Sequence, residues 1–288
     1  MYGTYEPEVL DRLHRIELMM LKDFNEICDT HGIDYFVISG TAIGAVRHQG
    51  FIPWDDDIDI AMTRDDYERF VSVLDTDPVY GAKYELWGHE RKHRYYNLIP
   101  ELMLRDTVCV NEIAEVGGYR PGIMIDLFIY DHIPDDPKEA KKVIDRCRFF
   151  KTLYLARNIN YGKFAAKDGG FTGVKDRILA VIYHLLRLIP KSDELLYRAF
   201  MKAAGTARGR SDTYTCLYDT GPHIMGIKGS KSFPTTTLPF EDTTVRAVKN
   251  YRAQLARHMG RDYMTLPPEE KRTNHCPVEL DFGPYKSM

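Results

Sequence analysis

The chain has 288 residues, 44% of them apolar, with 39 lysines and arginines against 42 aspartates and glutamates, for a formal net charge of −3. That length holds one large domain, or a catalytic domain with a helical appendage, and it leaves ample material for a core. The near balance of charge excludes a nucleic-acid partner held by a global positive field, and five cysteines with no Cys-x-x-Cys pair read as free thiols in a reducing compartment.

In chain order, the first residues lack the basic start and apolar run of a signal peptide. Pro7 is followed by Val9, Leu13, Ile16, Met20, Phe24 and Ile27 at helical spacing, and Gly32 stands where a helix would stop. This predicts an amphipathic helix over residues 7–31. Residues 33–39 are rich in β-branched and aromatic side chains and read as a strand, after which Gly40-Thr41 turns the chain into a short helix through Arg47. Beyond a loop with Pro53, residues 57–62 alternate acidic and apolar side chains and predict a second strand, followed by a helix from Arg64 to Leu74. Further strands are expected at residues 83–87, 96–104 and 122–130. Helices are expected at 137–158, 175–189 and 193–208, with a glycine-rich loop between Gly162 and Gly173 and a break at Pro190. Val245, Val248, Tyr251, Leu255 and Met259 read as the face of one more helix.

The longest apolar stretch, Ile178 to Ile189, contains His184 and Arg187 and falls well short of the roughly 20 apolar residues of a membrane span. A cytoplasmic protein is therefore expected. Lys175, Arg177, Arg187 and Lys191 flank the stretch, so it would also suit peripheral contact with the anionic inner face of a membrane. The favoured expectation is an ordinary buried helix with snorkelling basic ends. Strands first and helices later imply an α/β (α+β) fold: a catalytic region over 1–135 and a mostly helical region over 136–288, packed as one continuous unit.

The main chemical signal is Trp54-Asp-Asp-Asp-Ile-Asp-Ile-Ala-Met62. Side chains two apart on a strand face the same way, so Asp57 and Asp59 project together while Ile58 and Ile60 face the core. Aligned carboxylates repel unless a cation sits between them. Mg²⁺ suits such a site, with Mn²⁺ the alternative, because it takes oxygen ligands and accepts phosphate oxygens in its open positions. Asp126 is the only charge in the run Ile123–Ile129, and a lone carboxylate in a buried strand calls for a metal or a cationic partner. A cap or an arginine pair for Asp126 is the plainer alternative. Ser39-Gly40-Thr41 ends a strand and opens a helix, where glycine lets backbone approach a phosphate and free N–H groups favour an anion. Arg47 and His48 follow as candidates to neutralise phosphate. Trp54 reads as a loop anchor or a base-stacking ring, and Asp55 and Asp56 as solvated loop carboxylates.

The run from Phe36 to Tyr67, with its Gly-Ala-Val-Arg-His-Gln-Gly-Phe-Ile-Pro-Trp-Asp-Asp-Asp core, closely resembles the signature of the LicD family, whose relatives include fukutin-type proteins. The resemblance continues at Leu104–Thr107, Ile123–Phe128, Pro239–Glu241 and Gly260–Arg272. It implies a nucleotidyltransferase-like mixed sheet, phosphates held at the Gly-Thr turn, and divalent metal on the positions of Asp57, Asp59 and Asp126. It also implies a phosphotransferase that moves phosphocholine or a similar phospho-alcohol from a CDP-activated donor, CDP-choline above all. The acceptor would be a cell-surface glycan, a lipid-linked glycan or a teichoic-acid-type polymer. On this resemblance Arg105 joins the residues expected to hold donor phosphate, and Lys271, Arg272 and His275, which follow Pro267-Pro268, are expected to close over the donor.

Two rival enzymes use other chemistry. The Asp-x-Asp pair also serves nucleotide-sugar glycosyltransferases that bind Mn²⁺, although those open with a nucleotide-binding βαβ unit and this chain opens with a helix. His89-Glu90-Arg-Lys-His93 spells a zinc metallopeptidase motif, which requires a helix placing both imidazoles on one face. A non-enzymatic module is a further alternative, but a scaffold has no reason to keep three clustered carboxylates.

Overall fold

A computed structural model describes residues 5–91, 93, 95–163, 174–219 and 226–288, the side chains of Lys175 and Asp176 apart. The expected glycine-rich loop lies largely outside the described residues.

The first helix, α1 (Pro7–His31), matches the apolar spacing. Proline at its start and Gly32 at φ 60° at its end fix both boundaries, because only glycine enters the left-handed region without cost. Its buried stripe of Leu13, Ile16, Met20, Phe24 and Ile27 packs on one face of the main sheet. β1 (Phe36–Val37) is far shorter than the expected strand. The backbone leaves extended geometry at Ser39, whose φ of 48° is left-handed, and α2 (Ser39–Arg47) begins there. β2 (Asp59–Thr63) starts two residues later than expected, so Asp57 lies on the approach to the strand. Thr63 then caps α3 (Arg64–Thr76) by accepting from the Asp66 N–H.

A one-turn helix α4 (Tyr80–Lys83) leads into β3 (Tyr84–Trp87) and β4 (Glu101–Leu104). The expected strand at 96–104 begins only after Pro100, which has no N–H to give to a ladder. β5 (Val108–Val110), α5 (Glu112–Gly117) and the long β6 (Met124–Ile133) follow. The main sheet runs β1-β2-β6-β4-β3, with β2 and β6 parallel and the other pairs antiparallel.

After α6 (Pro137–Asn158) and the helices Val174–Arg187 and Ser192–Ala204, the chain returns to the sheet. β7 (Thr213–Cys216) pairs with the far half of β6, and β8 (Ile227–Lys228) pairs with β7. The second half is thus not merely helical, and the sheet crosses residue 135. A hairpin of β9 (Thr236–Phe240) and β10 (Thr243–Ala247) replaces the start of the helix expected around Val245. The β-branched run Thr243-Thr244-Val245 explains this, and helix Tyr251–His258 begins only after Asn250. β11 (Glu279–Asp281) brings the C-terminal end back onto β5.

Helices cover both faces of the main sheet. Ile58, Ile60, Ile125 and Leu127 join the α1 core, while Ala61, Phe128 and Tyr130 pack with α6 and Ser192–Ala204. Burial on both faces explains why β6 reads as an apolar run. The helix Val174–Arg187 departs from the expected buried state: Ile178, Val181 and Leu185 are all more than half exposed, as is Leu188 just beyond its end. Among the described residues, no helix is long and apolar enough to cross a membrane.

Candidate active site

Strand register assembles the site. Asp59 on β2 stands opposite Asp126 on β6, and Asp126 stands opposite Glu101 on β4. Register partners on adjacent strands point to the same side, so these carboxyls form a row across three strands, about 4.8 Å apart per step. Asp57 adjoins Asp126 in a cleft of about 300 Å³ that is closed by Glu17 of α1 and by Tyr5, which precedes that helix. Asp56, Tyr96, Asn97 and His275 also line it.

The row is buried and short of positive charge. Burial raises the Asp59 carboxyl well above its usual range, and Asp57 and Asp126 push it further; a Ser39 hydroxyl contact opposes this. Asp126 is pushed up to about 7 by burial and then by Asp57, and its Oδ1 has no hydrogen-bond partner. Glu101 and Glu17 are each raised by burial and then by neighbouring carboxyls, and each leaves Oε2 unpartnered. His275 answers part of this charge: its backbone N–H donates to Asp56 Oδ1 at 2.9 Å, and its ring Nδ1 lies 3.4 Å from Asp56 and 3.7 Å from Asp57. Those contacts raise the imidazole to about 9.

Sequence reasoning missed Glu17, Glu101, Tyr5 and Tyr96, and it expected His275 over the donor rather than against the aspartates. Glu17 had a legible signal, a lone carboxylate on the apolar stripe of α1; Glu101 is disclosed only by register.

The Ser-Gly-Thr turn is stitched to the acidic strand. The Asp59 N–H donates to Thr41 Oγ1 at 2.8 Å, and the Ile38 N–H donates to the Asp59 carbonyl at 3.2 Å. A Cβ placed on Gly40 would stand 2.1 Å from Asp55 Oδ2, so only glycine admits that carboxylate at the helix start. Asp55 is therefore not a solvated loop residue; burial, then Asp57 and Asp56, raise it to about 8. Nor is Asp56, which is buried and accepts from the Tyr5 hydroxyl at 2.9 Å.

Arg47 donates to the carbonyls of Tyr263 at 2.9 Å and Thr265 at 3.3 Å, tying α2 to the C-terminal segment. Its Nε also donates to His48 Nε2 at 2.9 Å. Trp54 lies between cations, with the Arg272 guanidinium 4.6 Å and that of Arg47 5.9 Å from its ring centre, and His48 edge-on at 6.4 Å. Lys271 is exposed on the turn Glu269–Lys271 beside this stack. Arg105 is engaged elsewhere, donating to the Tyr84 carbonyl and to Glu85 Oε2, each at 3.0 Å.

The carboxyl row fits a divalent cation by its chemistry: hard oxygen donors, buried, mutually repelling and partly unpartnered. The cage is not ready-made, since among the described residues no three His, Cys, Asp or Glu side chains converge as a metal-holding group. The zinc-peptidase reading fails on geometry. Residues 88–91 form turns rather than a helix, His89 stacks on Tyr197 at 4.0 Å, and His93 stacks on Trp87 at 5.2 Å. The two imidazoles are thus engaged by different partners.

Residues 32–99, which carry the turn, the acidic strand and the start of the Tyr95-Tyr96 wall, match the sequence model of the LicD/FKTN/FKRP nucleotidyltransferase domain. The chain carries a LicD-family domain. Over 276 residues it is 28% identical to the lipopolysaccharide cholinephosphotransferase LicD of Haemophilus influenzae, covering 90% of this chain and 92% of that protein. An uncharacterized protein of Rickettsia prowazekii is 49% identical over 118 residues, 39% of this chain and 41% of its own. Another from Rickettsia typhi is 30% identical over 118 residues, 36% of this chain and 38% of its own. The match to the Haemophilus protein extends well beyond the LicD-family domain, over most of both chains.

Proposed function

We propose that this protein is a divalent-cation-dependent phosphotransferase that moves a phospho-alcohol, phosphocholine first among them, from a CDP-activated donor to a glycan acceptor of the lipopolysaccharide type. The observation that carries the reading is the row Asp59–Asp126–Glu101 with Asp57 beside it, a buried anionic wall with unpartnered oxygens at the lip of a cleft. The near full-length likeness to a lipopolysaccharide cholinephosphotransferase supports the substrate class.

In this reading Asp57, Asp59 and Asp126 hold Mg²⁺. Once bound, the ion supplies charge neutralisation for a pyrophosphate that the carboxyls would otherwise repel. Thr41 and Ser39 are positioning residues that fix the Asp59 backbone and carboxyl. Arg47 and Arg272 around Trp54 form the cationic edge for the phosphates of the cytidine half, with Lys271 alongside and His48, kept neutral by burial and Arg47, as a hydrogen-bonding neighbour. The acceptor hydroxyl attacks the phosphorus bearing the alcohol; a new P–O bond forms to the glycan, the pyrophosphate P–O bond breaks, and CMP departs with the electron pair. A buried carboxyl of the row takes the hydroxyl proton. Positioning and charge complementarity supply most of the acceleration.

The test is CMP release from CDP-choline, CDP-ribitol and CDP-glycerol with Mg²⁺ and a lipopolysaccharide acceptor. Asp59→Asn and Asp126→Asn are expected to lower turnover by at least about a hundredfold in a folded protein. No CMP from any of the three donors removes the reading. Turnover of UDP- or GDP-sugars in their place would favour a glycosyltransferase.

A further inference from the structure

The carboxyl row is longer than the pair and single aspartate that the proposed metal needs, and its far end has different company. Glu101 lies one strand beyond Asp126, on the side away from Asp59. Its side chain is 4% exposed; Asn97 hydrogen-bonds one part of the carboxylate, and Oε2 has no partner. A buried carboxylate in that state is costly unless a cation joins it. Among the described residues no lysine or arginine lines this cleft. Tyr96 lines it beside Glu101, held by Asn111 Nδ2 donating to its hydroxyl at 3.2 Å and backed by Tyr95 at 4.3 Å and Tyr119 at 6.0 Å. Glu112 adds another carboxylate to the same wall.

We infer that the wall formed by Tyr96 and Glu101 seats the cationic head of an amino-alcohol, a quaternary ammonium above all, carried by the donor. A quaternary ammonium has no N–H to donate, so it is held by aromatic rings and by the charge of a desolvated carboxylate, which is the pair present here. A neutral polyol carries no charge to hold the Glu101 carboxyl in its ionised form. The spacing agrees: one strand step of about 4.8 Å separates Asp126 from Glu101, a span that a two-carbon linker between phosphorus and nitrogen also covers. This assignment rests on the phospho-alcohol reading above and adds the residues that choose among alcohols.

The experiment measures kcat/KM for CDP-choline and CDP-glycerol at saturating Mg²⁺ in the wild type, Glu101→Gln and Tyr96→Leu. The wild type is expected to favour CDP-choline, and each variant to lower the choline-to-glycerol ratio at least tenfold. Calorimetric binding of phosphocholine and of glycerol 3-phosphate, with Mg²⁺ present, gives a readout independent of turnover; the variants are expected to lose phosphocholine selectively. Equal losses toward both donors overturn the assignment. So does a shift in the Mg²⁺ requirement of Glu101→Gln as large as its shift in donor ratio, which would make Glu101 a metal ligand. CMP release without choline preference sinks the head site and leaves the transfer reading standing. Tyr96-dependent phosphocholine binding without CMP release from any donor does the reverse.

Discussion

Asp126 shows how one residue links function to stability. Its carboxyl titrates near 7 in the fold, raised by burial and then by Asp57, with His275 partly opposing, against about 3.9 for an unfolded aspartate. The folded chain therefore binds more protons between those values. The stability associated with the protonated carboxyl is fully present below the unfolded pKa and declines as pH rises through about 7. Asp59, Glu17 and Glu101 are displaced in the same direction. In a chelator the melting temperature is thus expected to be higher at pH 5 than at pH 8. Millimolar Mg²⁺ is expected to raise the pH 8 value, because a ligand bound only by the folded state stabilises it by mass action. Differential scanning calorimetry of the wild type and Asp126→Asn checks this. A flat profile, or an unchanged response to Mg²⁺ in the variant, would contradict the cation site.

At the scale of elements, the loop after α2 is held by close contacts rather than by bulk. A Cβ on Gly44 would lie 2.4 Å from the Gly50 carbonyl, and one on Gly50 would lie 2.0 Å from Glu241 Oε1. Glu241 also accepts from the Phe51 N–H at 3.1 Å, and its own N–H donates to the Gln49 carbonyl at 2.7 Å. The hairpin β9–β10 thereby clamps the segment that leads to the acidic strand. Gly44→Ala is expected to cost about 1–3 kcal/mol through overpacking against backbone that cannot yield; urea denaturation reads the loss. Helix faces give a contrasting pair. Leu13 on α1 is 1% exposed, so Leu13→Ala is expected to cost about 2–5 kcal/mol. Leu185 on Val174–Arg187 is 57% exposed, so Leu185→Ser is expected to stay within about 0.5 kcal/mol.

Across the whole molecule, one buried ion pair joins elements far apart in sequence. Arg64, at the start of α3, donates to both oxygens of Asp131 on β6, at 2.9 and 2.8 Å, and to the Tyr218 hydroxyl beyond β7 at 2.6 Å. Asp131 on the long strand thus ties the N-terminal helix–strand unit to the returning β7. Asp131→Ala strands a buried guanidinium and is expected to cost about 3–5 kcal/mol. The double variant Arg64→Met with Asp131→Ala is expected to recover part of that loss, as measured by the urea midpoint. A single variant as stable as the wild type would show that the pair holds nothing together.

The sequence by itself determined the local items: α1 with both its ends, the turn into α2, the alternation that sends Ile58 and Ile60 inward, and the candidates Asp57, Asp59 and Asp126. Each follows from periodicity, a cap or a motif within a few residues. It misread Val245 as helical because spacing alone does not reveal a hairpin partner, and it took Asp55 and Asp56 for solvated because their covers, Gly40, Tyr5 and His275, come from other segments. Only the tertiary structure decided that Glu101 stands beside Asp126, that Glu17 closes the cleft, and that Arg105 turns to Glu85. Strand order and register are set by which apolar faces bury together, and that non-local free energy, rather than any local pattern, places a lone glutamate at the end of a row of buried carboxyls.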